Sequence, residues 1–367
     1  MAMVPEPLIQ GGVELAPRTS LRVGGPAQWF AHASSPADVA AAHAWSQAEG
    51  VPMLVLGGGT NVVVADAGVP GLVVAVVPRG LTITEDAETV TVTAAAGEPW
   101  DGVVAAAVAR RGAGLECLSG IPGFAGGTPI QNVGAYGQEV AGAIEHVSVF
   151  DRTAGSAIRL PAAACEFAYR ASRFKGRDAG RFVVCDVAFR LPKGPPTTVY
   201  ADVASALART GATNPTVADV RAIILDIRRR KGMVIDHADP DTRSVGSFFT
   251  NPVVAPGDVD RVAARAGAPP PSFAQPGGLI KVPAAWLIER AGFARGDREG
   301  AVGLSTKHTL AIVTRAGARA ADVVRFAATV ARRVEDTFGV RLRPEPVFLG
   351  FAAGERADVD YLLGAGN

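Results

Sequence analysis

The spacing of apolar and polar residues in the first half of the chain predicts alternating helices and strands. Ser35 and Pro36 at the start and Gly50 at the end predict a helix over 36–49, because serine caps a helix and proline suits its first turn. Short β-branched runs predict strands, and an alanine-rich run predicts a further helix. These additional elements are strands over 51–56, 62–64, 72–77, 89–95, 144–150 and 182–191 and a helix over 100–111.

The pattern changes after a break at Pro192-Lys193-Gly194-Pro195-Pro196, which we interpret as a domain boundary. Beyond it, Thr216 and Asp219 have the spacing of a capping box, so a helix is predicted up to Lys231. Further predicted elements are helices over 283–290 and 318–338 and a strand over 347–349. The sequence therefore predicts an α+β protein in which a domain with glycine loops precedes a second domain.

Glycine is unusually frequent between residues 112 and 142, where the periodicity of apolar residues is lost. Nine of these 31 residues are glycine, and the whole chain has 43 glycines in 367 residues, about 12% against a usual 7% or so. Backbone N–H groups can approach a pyrophosphate where no Cβ intervenes, so glycine clusters at strand ends can cradle an anion. Two clusters have this form, at 57–61 and at 120–137. Tight turns are the alternative, and for a lone glycine triplet they are the more frequent explanation.

Composition and absent motifs exclude several classes of protein. Hydrophobic residues make up 48% and charged residues 19% of the chain, and the formal charge is +1, which disfavours a disordered or nucleic-acid-binding chain. The sequence contains no GxGxxG, GxxxxGKS, GxxxxGKT, GxSxG or HExxH motif. The five histidines have no ligand-like spacing, and the acidic cluster at Asp236, Asp239 and Asp241 is interpreted as a solvated loop rather than a metal site.

The cysteines and the N-terminal residues help to predict the cellular compartment of the protein. Cys117, Cys165 and Cys185 share no CxxC spacing, and an odd number favours a reducing compartment over a disulfide scaffold. The first residues lack the basic and apolar regions of a signal peptide. The apolar run 72–77, like every other apolar run in the sequence, is far shorter than the roughly 20 residues that span a bilayer. We therefore expect a cytoplasmic protein with no membrane partner.

Five strings of residues, in order along the chain, resemble one enzyme family. They are GGGTN at 57–61, GIPGFAGGTPIQNVGAYGQE at 120–139, YRASRFK at 169–175, GSFFTNPVV at 246–254 and RPEPVF at 343–348. Together they resemble the UDP-N-acetylenolpyruvoylglucosamine reductase family of flavoenzymes. The resemblance implies a vanillyl-alcohol-oxidase (PCMH) type FAD-binding region of two subdomains, over 15–195, and a C-terminal α+β substrate domain, over 196–350.

The resemblance also implies the cofactors and partners. FAD would be bound noncovalently, and the family's reaction passes a hydride from NADPH through FAD to the enolpyruvyl group of a UDP-sugar, giving UDP-N-acetylmuramate for peptidoglycan. A monomer with no metal and no nucleic-acid partner is expected. The residues implied for FAD binding are Gly57, Gly58, Gly59, Thr60, Asn61, Gly120, Ile121, Pro122, Gly123, Gly126, Gly127, Asn132, Gly134, Ala135 and Tyr136.

Three residues are implied for catalysis. Hydride addition to an enolpyruvyl ether leaves negative charge beside the carboxylate, so the enzyme must stabilise this charge and supply a proton. By resemblance, Arg170 binds the carboxylate and Ser247 donates the proton. Glu345, restrained between two prolines, is expected to act with the arginine on the substrate carboxylate and to be protonated or hydrogen-bonded in the complex. Outside the motifs, the alternatives are a surface ion pair, a turn serine and a loop carboxylate.

Five further residues are implied for substrate binding, namely Tyr169, Tyr200, Arg228, Lys231 and Asn251. Lys231 and Asn251 match contacts to the diphosphate, and Tyr200 matches a tyrosine that closes over the substrate in one of two subtypes of the family. Lys231 also ends a basic run at a helix C-terminus, which compensation of the helix dipole alone would produce. Thr250 stands where lysine is common, and the segment 235–243 is longer than in many relatives, so the exact diphosphate contacts stay open.

Two other functions fit part of the sequence. A flavin oxidase or dehydrogenase of the same fold, acting on a hydroxyl group or a sugar lactone, would use the glycine loops but leave Arg170, Ser247 and Glu345 without a role. A noncatalytic flavin- or nucleotide-binding module would bind flavin and show no NADPH turnover with the enolpyruvyl substrate.

Overall fold

The computed structural model describes residues 8–211, 213–351 and 356–364. These residues form two compact units. Unit 1 comprises the described residues of Met1–Val13, Ala27–Gly58 and Pro70–Val234, and unit 2 comprises those of Glu14–Pro26, Gly59–Val69 and Ile235–Asn367.

The strands are β1 (Gln10–Glu14), β2 (Pro26–Ala33), β3 (Met53–Leu56), β4 (Val62–Val64), β5 (Val69–Val76), β6 (Leu81–Glu85), β7 (Thr89–Ala95), β8 (Gly134–Ala135), β9 (Gln138–Glu139), β10 (Ile144–Asp151), β11 (Ser156–Pro161), β12 (Phe182–Pro192), β13 (Val253–Val254), β14 (Phe273–Ala274), β15 (Ile280–Lys281), β16 (Arg298–Glu299), β17 (Val302–Leu304), β18 (Ile312–Thr314) and β19 (Val347–Leu349). The helices are α1 (Pro36–Ala48), α2 (Trp100–Ala109), α3 (Ala201–Thr210), α4 (Val217–Arg230), α5 (Pro256–Ala266), α6 (Ala284–Arg290), α7 (Ala320–Phe338) and α8 (Arg356–Leu363). Among the described residues, no helix has both the length and the apolar character that a bilayer span requires.

Two sheets form the framework of unit 1. One has four strands in the order β1-β2-β5-β3, and the other has five in the order β11-β10-β12-β7-β6. The pair β3 and β5 is parallel, whereas neighbours in the five-stranded sheet are antiparallel. In β7 the threonines alternate with Val90, Val92 and Ala94, which are buried, as expected for a strand with one face in the core.

Trp100, the first residue of α2, links the glycine-rich segment to the core of unit 1. The indole is buried, and its ring centroid lies 5.4 Å from that of Phe189 in β12. Its Nε1–H donates to the carbonyl oxygen of Leu118 at 3.1 Å, and its backbone N–H donates to that of Gly123 at 3.0 Å. The segment 112–142 is thus held by defined bonds although it contains only short 3-10 turns and the two-residue strands β8 and β9.

Helices α3 and α4 belong to unit 1 although they follow the predicted break at 192–196. Val203 of α3 and Val220 and Ile224 of α4 form a buried cluster with Cys117. The last division between the two compact units therefore falls after Val234 and not at 192–196. The predicted limits 15–195 and 196–350 describe a flavin-binding domain and a substrate-binding domain. They stay a prediction, because compact packing does not show which ligand a residue binds.

Unit 2 is built around α7. Ten residues of this helix are buried, among them Phe326 and Phe338. The helix belongs to a core that includes Phe248 and residues of the sheet β16-β17-β18. The short strands β4 and β19 pair in parallel, with Val62 opposite Val347, so a segment from the start of the chain completes this unit.

The predicted elements agree well with the structure. Thr216 and Asp219 form the expected capping box of α4, and β4, β7 and β19 have the predicted bounds. The sequence analysis did not predict helices α3, α5 and α8, nor several strands, among them β2, β6 and β11. For α5 a signal existed, because Pro256 stands in its first turn and Gly267, with φ of +67°, ends it.

Candidate active site

The two glycine clusters meet at Gly58. A Cβ added to Gly58 would lie 3.0 Å from the Cα of Gly123 and 3.4 Å from the backbone nitrogen of Phe124, so the two loops lie against each other at main-chain distance. Both residues belong to unit 1. A side chain at Gly58 would therefore push the loops apart, which explains why glycine is needed there.

The second glycine loop is fixed by backbone hydrogen bonds to the residues that follow β7. Gly126 donates to the carbonyl oxygen of Ala96 at 2.9 Å, and a Cβ at Gly126 would lie 2.6 Å from the Cβ of Ala96. In contrast, a Cβ added to Gly57 or Gly127 would meet no atom of the described residues within 4 Å. Tightly held main chain with open space beside it is the environment that a phosphate-bearing cofactor such as FAD requires, so these residues fit the implied group.

Asp101, in the first turn of α2, orients the start of this loop. One carboxylate oxygen accepts the backbone N–H of Gly120 at 2.6 Å, and the carboxylate also receives two bonds from Arg221 of α4, at 2.7 and 2.8 Å. Gly120 has φ of +70°, a conformation that suits glycine. Burial acts to raise the pKa of Asp101, but the bonds from Arg221 and Gly120 outweigh it and hold the pKa below its ordinary value. The sequence prediction missed Asp101, because its partner on α4 is remote in the chain.

The remainder of the GGGTN string lies in unit 2, where Gly59, Thr60 and Asn61 lead into β4. A Cβ at Gly59, whose φ is +65°, would lie 1.9 Å from the carbonyl oxygen of Arg18. Asn61 is bonded at both its side chain and its backbone. Its Nδ2 donates to the carbonyl oxygen of Glu345 at 3.4 Å, and its own carbonyl accepts from Val347 at 3.0 Å. A residue implied for FAD thus lies beside one implied for catalysis.

Arg170 lies against the glycine-rich segment of unit 1. Its Nη2 donates to the carbonyl oxygen of Gly134 at 2.7 Å and its Nη1 to that of Asn132 at 3.5 Å. Its guanidinium carbon lies 5.4 Å from the ring centroid of Tyr169. The structure thus brings Arg170 together with three residues implied for cofactor or substrate binding.

The backbone of this region is strained at three of the implied residues. Asn132, Tyr136 and Arg170 have φ of +46°, +49° and +54°. Asn132 is held there by its side chain, which donates to Oε2 of Glu139 at 2.7 Å and accepts the backbone N–H of Ala141 at 3.1 Å. Residues with positive φ other than glycine cost energy and tend to cluster at functional sites.

Tyr136, Tyr200 and Lys231 form a second group in unit 1. The tyrosine ring centroids are 5.3 Å apart at an interplanar angle of 83°, and Lys231 Nζ lies 5.8 Å from the centroid of Tyr136. Lys231 Nζ also donates to Oδ2 of Asp202 at 3.0 Å. Burial acts to lower the pKa of Lys231, but Tyr136 and Asp202 outweigh it, so the pKa lies above its ordinary value and the amine stays charged.

Arg228 is a buried residue that interacts with Tyr136 of this group. It is 9% exposed, and its Nη2 donates to the carbonyl oxygen of Met233 at 2.7 Å. Its Nε makes no hydrogen bond to any residue that the structure describes. Burial lowers the pKa of Arg228, which Tyr136 and Asp101 partly offset. The structure therefore brings Tyr136, which is implied for FAD, together with Tyr200, Lys231 and Arg228, which are implied for the substrate.

Ser247 and Glu345 lie on neighbouring segments of unit 2. The backbone N–H of Glu345 donates to the carbonyl oxygen of Phe248 at 2.9 Å, and Phe249 forms an antiparallel bridge with Pro344. Thr250 N–H extends this pairing to the carbonyl oxygen of Arg343 at 3.0 Å. The segments that carry two implied catalytic residues are thus held together by main-chain bonds.

Asn251 has a structural partner. Its Oδ1 accepts the backbone N–H of Ala284, the first residue of α6, at 2.9 Å. This bond satisfies one of the donors that a helix leaves open at its start. A role for Asn251 in binding the diphosphate stays a prediction.

The interpretation of the acidic cluster as a solvated loop is wrong for Asp241. Asp236 and His237 are exposed, but Asp241 is 3% exposed and accepts bonds from Ser305 and Thr306. The physical reason is that these donors compensate the cost of burying a carboxylate. Within the described residues, no group of three or more His, Cys, Asp or Glu side chains could hold a metal ion.

The sequence prediction also missed Glu116, a carboxylate with no measurable exposure in unit 1. It accepts bonds from Gly114 N–H at 2.7 Å, Gln138 Nε2 at 2.8 Å and Thr197 N–H at 2.7 Å. These bonds tie the segment just before Tyr200 to the glycine-rich segment. The signal in the sequence was a single charged residue, Glu116, within the otherwise uncharged run 115–119.

The three cysteines are free thiols and are buried. Burial raises the pKa of Cys117 to about 12 and the pKa values of Cys165 and Cys185 to about 11. The reactive thiolate form is therefore disfavoured near neutral pH.

Comparison with known proteins gives a consistent result. A family model of the UDP-N-acetylenolpyruvoylglucosamine reductase C-terminal domain matches residues 239–349, and a model of the FAD binding domain matches residues 27–155. The chain is 49% identical over 342 residues to a UDP-N-acetylenolpyruvoylglucosamine reductase of Salinispora arenicola, with 91% of this chain and 94% of the relative covered. It is 46% identical over 347 residues to one of Thermobifida fusca, with 92% and 97% covered.

The fold agrees as well. The crystal structure of UDP-N-acetylenolpyruvylglucosamine reductase from Thermus caldophilus matches with a TM-score of 0.63 at 24% identity, and the match covers 93% of this chain and 99% of that one. Together with the FAD binding domain model, this likeness confirms the expected fold class. The chain belongs to the UDP-N-acetylenolpyruvoylglucosamine reductase family.

Proposed function

We propose that the chain catalyses the NADPH-dependent reduction of UDP-N-acetyl-3-O-(1-carboxyvinyl)-glucosamine to UDP-N-acetylmuramate, a step in peptidoglycan synthesis. The observation that carries this function is the match to relatives of that name over more than nine-tenths of the chain. FAD is the cofactor and NADPH the reductant. When bound, FAD supplies two-electron chemistry by taking a hydride from NADPH and giving one to the enolpyruvyl double bond.

Arg170 stabilises the negative charge that hydride addition creates beside the substrate carboxylate. Its guanidinium is always protonated and can give two parallel bonds to a carboxylate. Support comes from its contacts with the carbonyl oxygens of Asn132 and Gly134, which fix the guanidinium beside the glycine-rich segment. A side chain that is already oriented loses little entropy when the substrate binds.

Ser247 donates a proton to the carbon next to the carboxylate. A hydroxyl is a weak acid in water, but the acceptor is a strongly basic carbanion-like centre, so a positioned hydroxyl suffices. Ser247 follows Gly246, whose φ is +76°, and precedes the buried Phe248. The serine is partly exposed between a turn and a fixed backbone position, as a proton donor to a bound substrate needs to be.

Glu345 acts on the same carboxylate region of the substrate. Its backbone is fixed twice, by the bond from its N–H to Phe248 and by the bond from Asn61 to its carbonyl oxygen. The flanking Pro344 and Pro346 restrict its conformation further. We assign it, in protonated or hydrogen-bonded form, to orienting the substrate carboxylate.

The substrate is held by Tyr169, Tyr200, Arg228, Lys231 and Asn251. Lys231 supplies a positive charge for the diphosphate. Arg228 supplies a second positive charge from a buried position. Tyr200, which is 44% exposed and rests against Tyr136, is placed to cover a ligand. The FAD-binding residues are those of the two glycine clusters, within a flavin domain over 15–195, and the substrate domain spans 196–350.

We further propose that the protein is a cytoplasmic monomer. NADPH and UDP-sugars are cytoplasmic metabolites, and a monomer is sufficient because the chain itself contains every residue assigned above. Size-exclusion chromatography with light scattering tests this point, since a dimer mass would contradict it.

The function is tested by incubating the purified protein with FAD, NADPH and the enolpyruvyl substrate. NADPH oxidation should require that substrate, and the product should be heavier than the substrate by two hydrogen atoms. A flavin oxidase would instead be reduced by an alcohol or sugar lactone. A binding module would carry flavin without substrate-dependent turnover.

A further inference from the structure

The acidic cluster of unit 2 contains a buried carboxylate that the proposed reaction does not use. Asp241 Oδ2 accepts the Ser305 hydroxyl at 3.0 Å, the Thr306 backbone N–H at 2.8 Å and the Thr306 hydroxyl at 2.6 Å. Asp241 Oδ1 accepts a bond from Nη2 of Arg315. A single side chain thus binds donors from three residues.

The donors come from the two ends of one loop. Ser305 and Thr306 follow β17, and Arg315 follows β18, so Asp241 bridges the start and the end of the segment 305–315. The segment is also closed by the backbone bond from Ser305 N–H to the carbonyl oxygen of Ala311, at 2.8 Å. Asp241 therefore acts as a clamp across the base of this loop.

The clamped loop carries the segment that contains Ser247. The carbonyl oxygen of Leu310 accepts the backbone N–H of Phe248 at 2.7 Å, directly after the serine. Before the serine, Ser244 forms an antiparallel bridge with Val313, and Thr314 N–H donates to the carbonyl oxygen of Arg243 at 3.1 Å. The loop thus fixes the main chain on both sides of Ser247.

The clamp depends on an ionised carboxylate. Burial acts to raise the pKa of Asp241, but the bonds from Thr306, Arg315 and Ser305 outweigh it and hold the pKa below its ordinary value. Hydrogen bonds to a charged acceptor are roughly twice as strong as neutral ones. An uncharged side chain of the same shape would loosen the clamp.

We propose that Asp241 is a positioning residue for Ser247, acting through the loop 305–315 and the backbone of Phe248. The inference rests on the proposed role of Ser247 as proton donor and names what holds the donor in place. A displacement of about 1 Å can cost about 100-fold in rate, so a loosened clamp should impair proton donation specifically.

The test compares Asp241→Asn with a matched control in the same cluster. Asp239→Asn removes the ion pair with Lys307, which also lies in the loop 305–315, but keeps a side-chain oxygen that can accept the Asp241 N–H. It therefore leaves the bonds of Asp241 in place and separates their effect from that of a lost surface charge pair on the same loop. Arg315→Lys keeps the charge but loses the fork geometry, and it serves if Asp241→Asn folds poorly.

Two readouts are measured on the full-length holoenzyme. Hydrogen exchange of a peptide over 244–250 should be about tenfold faster in Asp241→Asn than in the wild type and unchanged in Asp239→Asn. In stopped-flow experiments, flavin reduction by NADPH should stay within about twofold of the wild type, while reoxidation by the enolpyruvyl substrate slows by about 10- to 100-fold.

The double variant Ser247→Ala/Asp241→Asn should reoxidise no more slowly than Ser247→Ala alone, because a lost donor no longer needs positioning. Equal slowing of both half-reactions, or unchanged exchange and reoxidation, would overturn the positioning role. If Ser247→Ala itself reoxidises normally, the proposed role of Ser247 fails. If Ser247→Ala is slow but Asp241→Asn and Arg315→Lys are normal, only the present inference fails.

Discussion

The backbone N–H of Glu345 donates to the carbonyl oxygen of Phe248 at 2.9 Å. This bond, with the bridge between Phe249 and Pro344, lays the segment after Ser247 antiparallel to the RPEPVF string. The serine and the glutamate are far apart in the sequence and are held in register by main-chain bonds. A change to either side chain should therefore alter chemistry with little effect on the local backbone.

The space beside Gly127 should report the flavin directly. A Cβ there would meet no atom of the described residues within 4 Å, and Gly127 is exposed, so Gly127→Leu should leave the thermal midpoint nearly unchanged. If FAD occupies that space, the variant should lose most of its bound flavin, as measured by the absorbance ratio near 450 and 280 nm (about 10-fold weaker binding). The matched control Gly102→Ala, in α2 and also with open space, should keep its flavin. Full flavin content in Gly127→Leu would remove Gly127 from the cofactor site.

Arg170→Lys should show that the fork of the guanidinium matters as well as its charge. Lysine keeps the positive charge but cannot give two parallel bonds to a carboxylate. We expect kcat to fall by about 100- to 1,000-fold, with flavin reduction by NADPH much less affected. The control is Arg177→Lys, because Arg177 is a well-exposed residue paired with Glu166 in the same segment. A drop confined to KM would instead assign Arg170 to uniform substrate binding.

Lys231 should govern affinity for the UDP-sugar more than the chemical step. Lys231→Met keeps the length of the side chain but removes the charge beside Tyr136 and Asp202. The KM for the UDP-sugar should rise by about 10- to 100-fold, the scale of a lost charge-assisted bond. The neighbouring Arg230→Met provides the control, because Arg230 is 62% exposed and pairs with Asp226. Similar effects of both variants would mean that general positive charge, rather than Lys231, attracts the substrate.

Asp151 should stabilise unit 1 in a pH-dependent way. Its carboxylate accepts three bonds from Arg181 and further bonds from the backbone N–H groups of Thr153 and Ala154, and together these lower its pKa from 3.8 to about 2. Because the unfolded chain binds this proton at higher pH than the folded protein, the stabilisation is complete above about pH 4 and is lost as the pH falls towards 2. Asp151→Asn should cost about 1–3 kcal/mol at pH 7 in urea unfolding.

That difference between the wild type and Asp151→Asn should shrink below pH 4. The control Asp226→Asn removes an exposed pair within α4 and should cost less than about 0.5 kcal/mol. A difference between wild type and Asp151→Asn that is constant from pH 7 to pH 2.5 would contradict the role of the Asp151 charge.

Local features of the fold could be predicted from the sequence, whereas long-range partners could not. The capping box at Thr216 and the alternation in β7 depend on neighbouring residues, so their patterns sufficed. The burial of Asp241 depends on Ser305 and Arg315, which are remote in the chain. The polar stretch 236–243, which is interrupted by Pro240, was therefore interpreted as a solvated loop.

The same distinction between local features and long-range partners applies to the candidate site. The sequence predicts that the glycine clusters bind the cofactor, and this stays a prediction, whereas their contact at Gly58 and Gly123 is a feature of the fold. The contacts of Arg170 arise from left-handed backbone at both Asn132 and Arg170, a conformation that residue type does not reveal. Glu116 and Asp101 were not predicted, because a sequence does not show which groups donate hydrogen bonds to a carboxylate in the folded protein.

The central claim is that this chain reduces the enolpyruvyl substrate with Ser247 as the proton donor. The most direct measurement is stopped-flow absorbance of the flavin in the wild type and in Ser247→Ala, first with NADPH and then with the UDP-sugar substrate. Both proteins should be bleached by NADPH at similar rates. The substrate should restore the flavin colour rapidly in the wild type and more slowly in Ser247→Ala, by about 3–5 kcal/mol in barrier. Restoration of Ser247→Ala at the wild-type rate, or no restoration in the wild type, would contradict the claim.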